Sequence, residues 1–121
     1  MSAIPDSFAH YNAAWNERNP ERIREHLDKS VTADVLFVDP AHTTVGPDAL
    51  EAMIREARAA MPTGEYRLVS GIDGHNRRYR YRWEVLRDGQ LLMPGMDVST
   101  VDENGLIERI DGFFGDFPPP A

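Results

Sequence analysis

The chain has 121 residues and no cysteine, with 20 acidic against 13 basic side chains and a formal net charge of −7. That length suits one domain with a single core, and 41% hydrophobic with 27% charged residues is a globular balance, not a disordered one. The acidic excess argues against nucleic acid or an anionic membrane as partner, and the missing thiols exclude a disulfide framework, a cysteine nucleophile and a thiolate metal site.

The opening Met1-Ser2-Ala3-Ile4-Pro5-Asp6 has neither a basic start nor an apolar run, so no signal peptide is expected. No apolar stretch approaches the roughly 20 residues of a membrane span. A soluble cytoplasmic protein is the expectation. Pro5-Asp6-Ser7 opens a helix whose Phe8, Tyr11 and Trp15 recur at helical spacing, with Ala14 widening the stripe. Arg18-Asn19-Pro20 breaks it, and Pro20 suits the first turn of a second helix over about 20–27, with Ile23 and Leu27 one turn apart. Residues 28–34 read as a polar connector. Val35-Leu36-Phe37-Val38-Asp39-Pro40 reads as a short buried strand that ends in a carboxylate, because Val and Phe pack well on a pleated surface and proline cannot donate to a ladder. Residues 40–47 read as a loop carrying His42. The run 49–61 is the clearest helix, its buried face marked by Leu50, Met53, Ile54, Ala57 and Met61, and Pro62-Thr63-Gly64 stops it.

After Gly64 the hydrophobic period changes to two. Residues 66–72 read as a strand and Asp73-Gly74-His75-Asn76 as a turn. From 77 to 86 the alternation is strict, Tyr79, Tyr81, Trp83 and Val85 against Arg78, Arg80, Arg82 and Glu84. Asp88-Gly89 signals a hairpin, 90–101 a long strand bent near Pro94-Gly95, Asp102-Glu103-Asn104-Gly105 a second hairpin, and 106–114 the last strand. Residues 116–121 form a proline-rich tail. Residues 1–121 are thus one domain with its core over about 8–115. The class is α+β, three helices packed on one face of a strongly bent, mainly antiparallel sheet, a cone with an apolar pocket.

Asp39 sits where apolar neighbours could raise a carboxyl toward working pH as a general base; it could equally be a turn residue bonding its own loop. Asp97 lies inside a strand among Met93, Met96 and Val98, where a charged carboxylate needs a partner. It reads either as a proton donor or general acid, or as half of an ion pair with an arginine on the next strand. Tyr11 shares the stripe of Phe8 and Trp15, so it is core that also needs a partner for its hydroxyl. His42 and His75 fall in loops, at the pocket mouth or beside Asp39 as a proton relay, or simply solvated. The arginines of the 77–86 strand fit cross-strand pairs with Asp111 and Arg109 or a dimer interface better than phosphate binding. No His or carboxylate spacing suggests a metal, and there is neither a phosphate loop nor a Gly-x-Ser-x-Gly elbow.

Tyr11-Asn12-Ala13-Ala14-Trp15-Asn16, Val38-Asp39-Pro40, Pro94-Gly95-Met96-Asp97 and Phe113-Phe114-Gly115, in this order, resemble the nuclear transport factor 2-like superfamily, in particular its SnoaL-like and ketosteroid-isomerase-like members. The resemblance implies a cone-shaped (cystatin-like) α+β barrel, usually a homodimer, with a cavity between sheet and helices. In ketosteroid isomerase a tyrosine of the first helix, an aspartate base after the first strand and a protonated aspartate of the penultimate strand share that cavity; Tyr11, Asp39 and Asp97 fall on those positions. The third helix carries Leu50, Met53 and Ile54 where the isomerase has a supporting tyrosine, and the central strand has Arg80 and Arg82 without the aspartate that epoxide hydrolases of the superfamily use.

The implied function is cofactor-free proton abstraction next to a carbonyl of a small apolar molecule. Asp39 acts as base, and Tyr11 and Asp97 stabilise the enolate oxygen. Reprotonation makes an isomerase; attack on a second carbonyl makes an aldol cyclase. Trp15, His42, Tyr79, Tyr81, Trp83, Met93 and Phe114 are expected to contact the substrate. The alternative is a non-catalytic pocket for an apolar ligand, or a dimerisation module. Catalysis of this kind predicts Tyr11 and Asp97 within hydrogen-bond range inside the pocket, with Asp39 several ångströms away facing the same space.

Overall fold

Helix α1 (Ser7–Asn16) buries Phe8, Tyr11 and Ala14 of the predicted stripe, while Trp15 is partly buried. The computed structural model describes residues 3–121. Two polar side chains fix where α1 lies. Ser7 Oγ donates to the Gly105 carbonyl at 2.6 Å. The Asn16 amide donates to Tyr66 O at 2.9 Å and accepts from Tyr66 N at 2.8 Å, pairing with an edge strand as another strand would. After a 3-10 turn at Pro20–Arg22, α2 (Ile23–Asp28) buries Ile23 and Leu27.

Strand β1 (Val31–Val38) begins four residues before the expected start. Val31 pairs with Ile107, and a register shift between Val31 and Leu36 leaves Ala33 and Asp34 exposed, which is why this stretch reads as a connector. Within the expected loop 40–47, β2 (Thr43–Val45) folds back antiparallel on β1; three residues are too few to show a period. Gly46, at φ 86°, turns the chain into α3 (Pro47–Ala60), with proline in its first turn. Leu50 and Ile54 are completely buried there, and truncating either to alanine would cost about 2–5 kcal/mol.

The remaining strands are β3 (Gly64–Leu68), β4 (Asp73–His75), β5 (Arg78–Arg87), β6 (Gln90–Val101) and β7 (Ile107–Phe114). Residues 73–75, expected as a turn, are a strand. The ten-residue β5 is long enough to pair with β3 over Trp83–Arg87 and with β4 over Arg78–Arg80, so the reversal falls at Asn76 and Arg77, both at positive φ. The irregularity of β6 falls at Leu92, skipped between the Val85–Met93 and Leu86–Leu91 pairs, and not at Pro94-Gly95. The sheet order is β2-β1-β7-β6-β5-β3, with β4 beside β5. Only β1 and β7 run parallel; the other neighbours are antiparallel. The sheet is strongly curved and open, and the three helices pack on it.

Candidate active site

A cavity of about 380 Å³ lies between the helices and the sheet. Phe8, Tyr11, Asn12 and Trp15 line it from α1, and Met53 and Ala57 from α3, with Met61 just beyond. Phe37, Tyr66, Leu68, Tyr81, Trp83, Val85, Leu92, Met93 and Phe114 line it from the strands, and Asp39, His42, Ile72, Asp97 and Gly112 complete the wall. No lysine or arginine lines it.

Sheet register sets the polar end. Tyr81 lies opposite Asp97, Asp97 opposite Gly112, and Val38 beside Asp111, so Asp39 follows β1 next to Gly112. Asp39, Gly112, Asp97 and Tyr81 therefore stand in one row across four strands. Asp97 is 8% exposed. Its Oδ2 accepts from the Tyr81 hydroxyl and its Oδ1 from Trp83 Nε1, each at 3.0 Å. Its carboxyl is raised to about 6: burial pushes it up most, the two donors pull it down, and the nearby charges of Asp39 and Asp111 add to the rise. No arginine pairs with it: Arg80 bonds Asp73, Arg109 bonds Asp111 and Arg78 bonds the Asn76 carbonyl.

Tyr11 enters the same cavity, but the hydrogen bond expected between it and Asp97 is not formed. Tyr81 occupies Asp97 Oδ2 because it is the direct cross-strand neighbour, whereas Tyr11 approaches from a helix. Among the described residues the buried Tyr11 hydroxyl has no partner. Burial first, then the charge of Asp97, holds its pKa well above the ordinary phenol value. Tyr11 is thus a proton-bearing group with its donor capacity unspent.

Asp39 is the turn residue of its second reading, and its side chain also faces the cavity. Its Oδ1 accepts from Ala41 N at 2.8 Å, His42 N at 2.7 Å and His42 Nδ1 at 3.2 Å, a turn that shapes the loop before β2. All three contacts fall on Oδ1, and the side chain, 9% exposed, also lines the cavity. His42 stands half-exposed at the rim. His75 lies away from the cavity on β4, bonded to Asn76.

Trp15, His42, Tyr81, Trp83, Met93 and Phe114 line the cavity; Tyr79 does not. It shares the face of Tyr81 but sits one pair further along β5, with its ring against Phe8 at 5.1 Å. There it is core, bordering a separate depression formed with β4. Sequence reasoning missed Gly112 and the role of Gly95. Gly95 marks no bend: it lies opposite Trp83, and a Cβ there would run into the indole ring. Period-two alternation places Tyr81 and Trp83 on the cavity face, but only the strand register shows that both donate to Asp97.

Among the described residues no helix is long and apolar enough to cross a membrane, and no three His, Asp or Glu side chains converge as metal ligands would. No curated protein matches the sequence. The crystal structure of a candidate isomerase of the SnoaL-like family from Agrobacterium tumefaciens str. C58 is similar, with 31% identity, a TM-score of 0.85, and 91% of this chain and 95% of that chain covered. A candidate SnoaL-like polyketide cyclase from Jannaschia sp. CCS1 shares the fold at 12% identity and a TM-score of 0.71, covering 94% and 89%. So does a nuclear transport factor 2-like protein of unknown function from Exiguobacterium sp. 255-15, at 19% identity and 0.75, covering 92% and 99%. The model of the SnoaL-like domain matches residues 8–110, and the chain belongs to that family, within the nuclear transport factor 2-like superfamily.

Proposed function

We propose that the protein moves a proton on a small apolar carbonyl compound, without a cofactor, as an isomerase or an aldol cyclase. The observation that carries this reading is the Asp97 carboxyl, buried in the cavity wall, held by Tyr81 and Trp83 and raised to about 6. A base is most effective with a pKa near the working pH. The roles proposed here differ from those the resemblance implies. Asp97 takes the proton from the carbon next to the carbonyl. The unspent Tyr11 hydroxyl donates to the oxygen as it becomes an enolate. Asp39, with Oδ1 committed to its loop, keeps His42 at the rim, and its charge raises the proton affinity of Asp97. Neutral Asp97 then returns the proton, to another carbon in an isomerase or to the new alkoxide in a cyclase. A cavity that only stores an apolar ligand needs neither the raised carboxyl nor the free hydroxyl.

The SnoaL-like family and the similar candidate isomerase and candidate cyclase support this class of chemistry. A homodimer is the proposed assembly. Phe113, which alternates with cavity-lining Phe114, is 55% exposed beside Met96 on the opposite face of the sheet and would be covered by a second copy.

Phenols resemble the enolate in shape and share one proton with the groups around their oxygen. Calorimetric titration of para-substituted phenols into wild type, Asp97→Asn and Tyr11→Phe is the test. Expected is at least a tenfold loss of affinity in Tyr11→Phe, affinity kept or raised in Asp97→Asn, whose amide stands for the neutral carboxyl of the enolate complex, and a dependence on phenol acidity in wild type. Affinity indifferent to both substitutions and to acidity would leave only the storage reading.

A further inference from the structure

Surface carboxylates of this protein hold its arginines: Asp28 and Asp48 meet Arg24, Asp73 meets Arg80, and Asp111 meets Arg109. Asp39 and Asp97, both enclosed in the cavity wall, meet no lysine or arginine among the described residues. The two pack against one glycine: a Cβ built on Gly112 would lie 3.1 Å from Asp97 Oδ1 and 3.3 Å from Asp39 Cβ. Tyr81 and Trp83 donate to Asp97, and Asp39 Oδ1 takes all its contacts from its own loop, so Asp39 Oδ2 has no donor. The ring of His42 stands on Oδ1, at the half-exposed rim. Enclosed carboxylates are ordinarily offset by a cation. The chain brings none into this wall, and the buried Tyr11 hydroxyl beside them is unpartnered as well. Around these groups the wall is aromatic. The Trp15 ring lies 6.3 Å from that of Phe37 and 4.8 Å from that of Tyr66, and Trp83 lies 6.1 Å from Phe114.

From this we infer that the cavity selects an organic cation: the carbonyl compound it takes carries one protonated amine, seated against Asp39 Oδ2 and Asp97, with its apolar body among the aromatic rings. The inference deepens the proton-transfer reading and rests on it for the carbonyl beside the amine. Two features choose the class. The carboxylates favour a positive group and repel an anionic one, with no basic side chain of the wall to offset them except His42 at the rim. Aromatic rings attract a cation that keeps a carbon skeleton, and two carboxylates offer too few oxygens for a bare metal ion. The same charge serves the reaction. An ammonium beside Asp97 opposes the effect of Asp39 there and favours the ionised carboxyl, the form that takes a proton. It also complements the negative charge of the enolate as that charge forms.

The test uses 2-phenylethylamine, 2-phenylethanol and phenylacetate, which share a ring and nearly one length and differ in charge. They are titrated calorimetrically at pH 7 into wild type, Asp39→Asn and the double variant Asp39→Asn/Asp97→Asn. On wild type the amine should bind at least about tenfold more tightly than the alcohol, and the carboxylate most weakly. This preference should shrink in Asp39→Asn and vanish in the double variant. It should persist in about 0.5 M sodium chloride, which screens the general attraction of a chain of net charge −7 far more than an enclosed pair. Equal affinities of amine and alcohol on wild type overturn the inference, and so does a preference that salt removes or that both variants keep. The wild-type and salt arms hold even if the double variant does not fold. If amine and alcohol bind alike while phenol affinity follows acidity and falls in Tyr11→Phe, the proton-transfer reading stands and the amine falls. An amine preference beside phenol affinity indifferent to acidity and to Tyr11→Phe overturns the proton-transfer reading alone and leaves the cavity an amine-binding one.

Discussion

Tyr81 and Asp97 face each other directly across β5 and β6, and the Tyr81 hydroxyl donates to Asp97 Oδ2 at 3.0 Å. With the indole of Trp83 on the other oxygen, both hydrogen bonds favour the ionised carboxyl and oppose the effect of burial. Tyr81→Phe or Trp83→Phe removes one donor and leaves the burial, so the Asp97 pKa should rise above about 6 in either variant. Carboxyl carbon NMR titration reads the shift directly. An unchanged or lowered midpoint in both variants would mean the two bonds do not govern this group.

The raised carboxyl also sets a pH dependence of stability. Between about 4 and about 6 the folded protein holds the Asp97 proton while the unfolded chain has lost it. The contribution of this group to stability therefore falls as pH rises through that window and levels off above it. Asp97→Asn should be more stable than wild type at pH 7, by up to about 3 kcal/mol, with the difference vanishing below pH 4. Tyr81 can accommodate the amide because its hydroxyl can turn from donor to acceptor. Urea unfolding of both proteins at pH 4 and pH 7 measures it; a variant less stable at pH 7 than at pH 4, relative to wild type, would reverse the sign.

Two substitutions at Asp39 separate its loop role from its charge. Asp39→Ala removes the acceptor of the Ala41 and His42 amides and should cost about 1–2 kcal/mol. Asp39→Asn keeps an oxygen for those amides and should cost much less. Both delete the charge that raises Asp97, so the Asp97 pKa should fall in each. Chemical denaturation gives the first comparison and carboxyl NMR the second.

Gly95 provides the flat seat on which the Trp83 ring lies. Gly95→Ala pushes its methyl into that ring and toward the Phe113 carbonyl, at a cost of about 1–3 kcal/mol. Displacing the ring also weakens the bond to Asp97, so tryptophan emission and the Asp97 pKa should change together. A variant with altered stability but unmoved emission would place the strain elsewhere.

Much of this architecture is legible in the chain because it is local. Helical spacing gives α1 and α3, strict alternation gives the cavity face of β5, and Asp88-Gly89 gives a hairpin whose two residues both adopt positive φ. The resemblance puts Tyr11, Asp39 and Asp97 at cavity positions, and all three line the cavity. What stayed hidden depends on register between distant strands. The parallel pairing of β1 with β7 brings Gly112 between the two carboxylates, and no local pattern encodes it. The Tyr81 bond to Asp97 follows from a pairing sixteen residues apart in sequence. Tyr79 shows the converse limit: alternation gives its face, but its place along β5 decides that it packs on Phe8 and not in the cavity.

The central claim is that Asp97 is the group that exchanges a proton at neutral pH. Carboxyl carbon NMR of aspartate-labelled protein, with the Asp97 signal assigned by its loss in Asp97→Asn, tests this most directly. The midpoint should lie at about 6 and move when a para-substituted phenol occupies the cavity. A midpoint near 4, the ordinary aspartate value, unmoved by the phenol, would contradict the account.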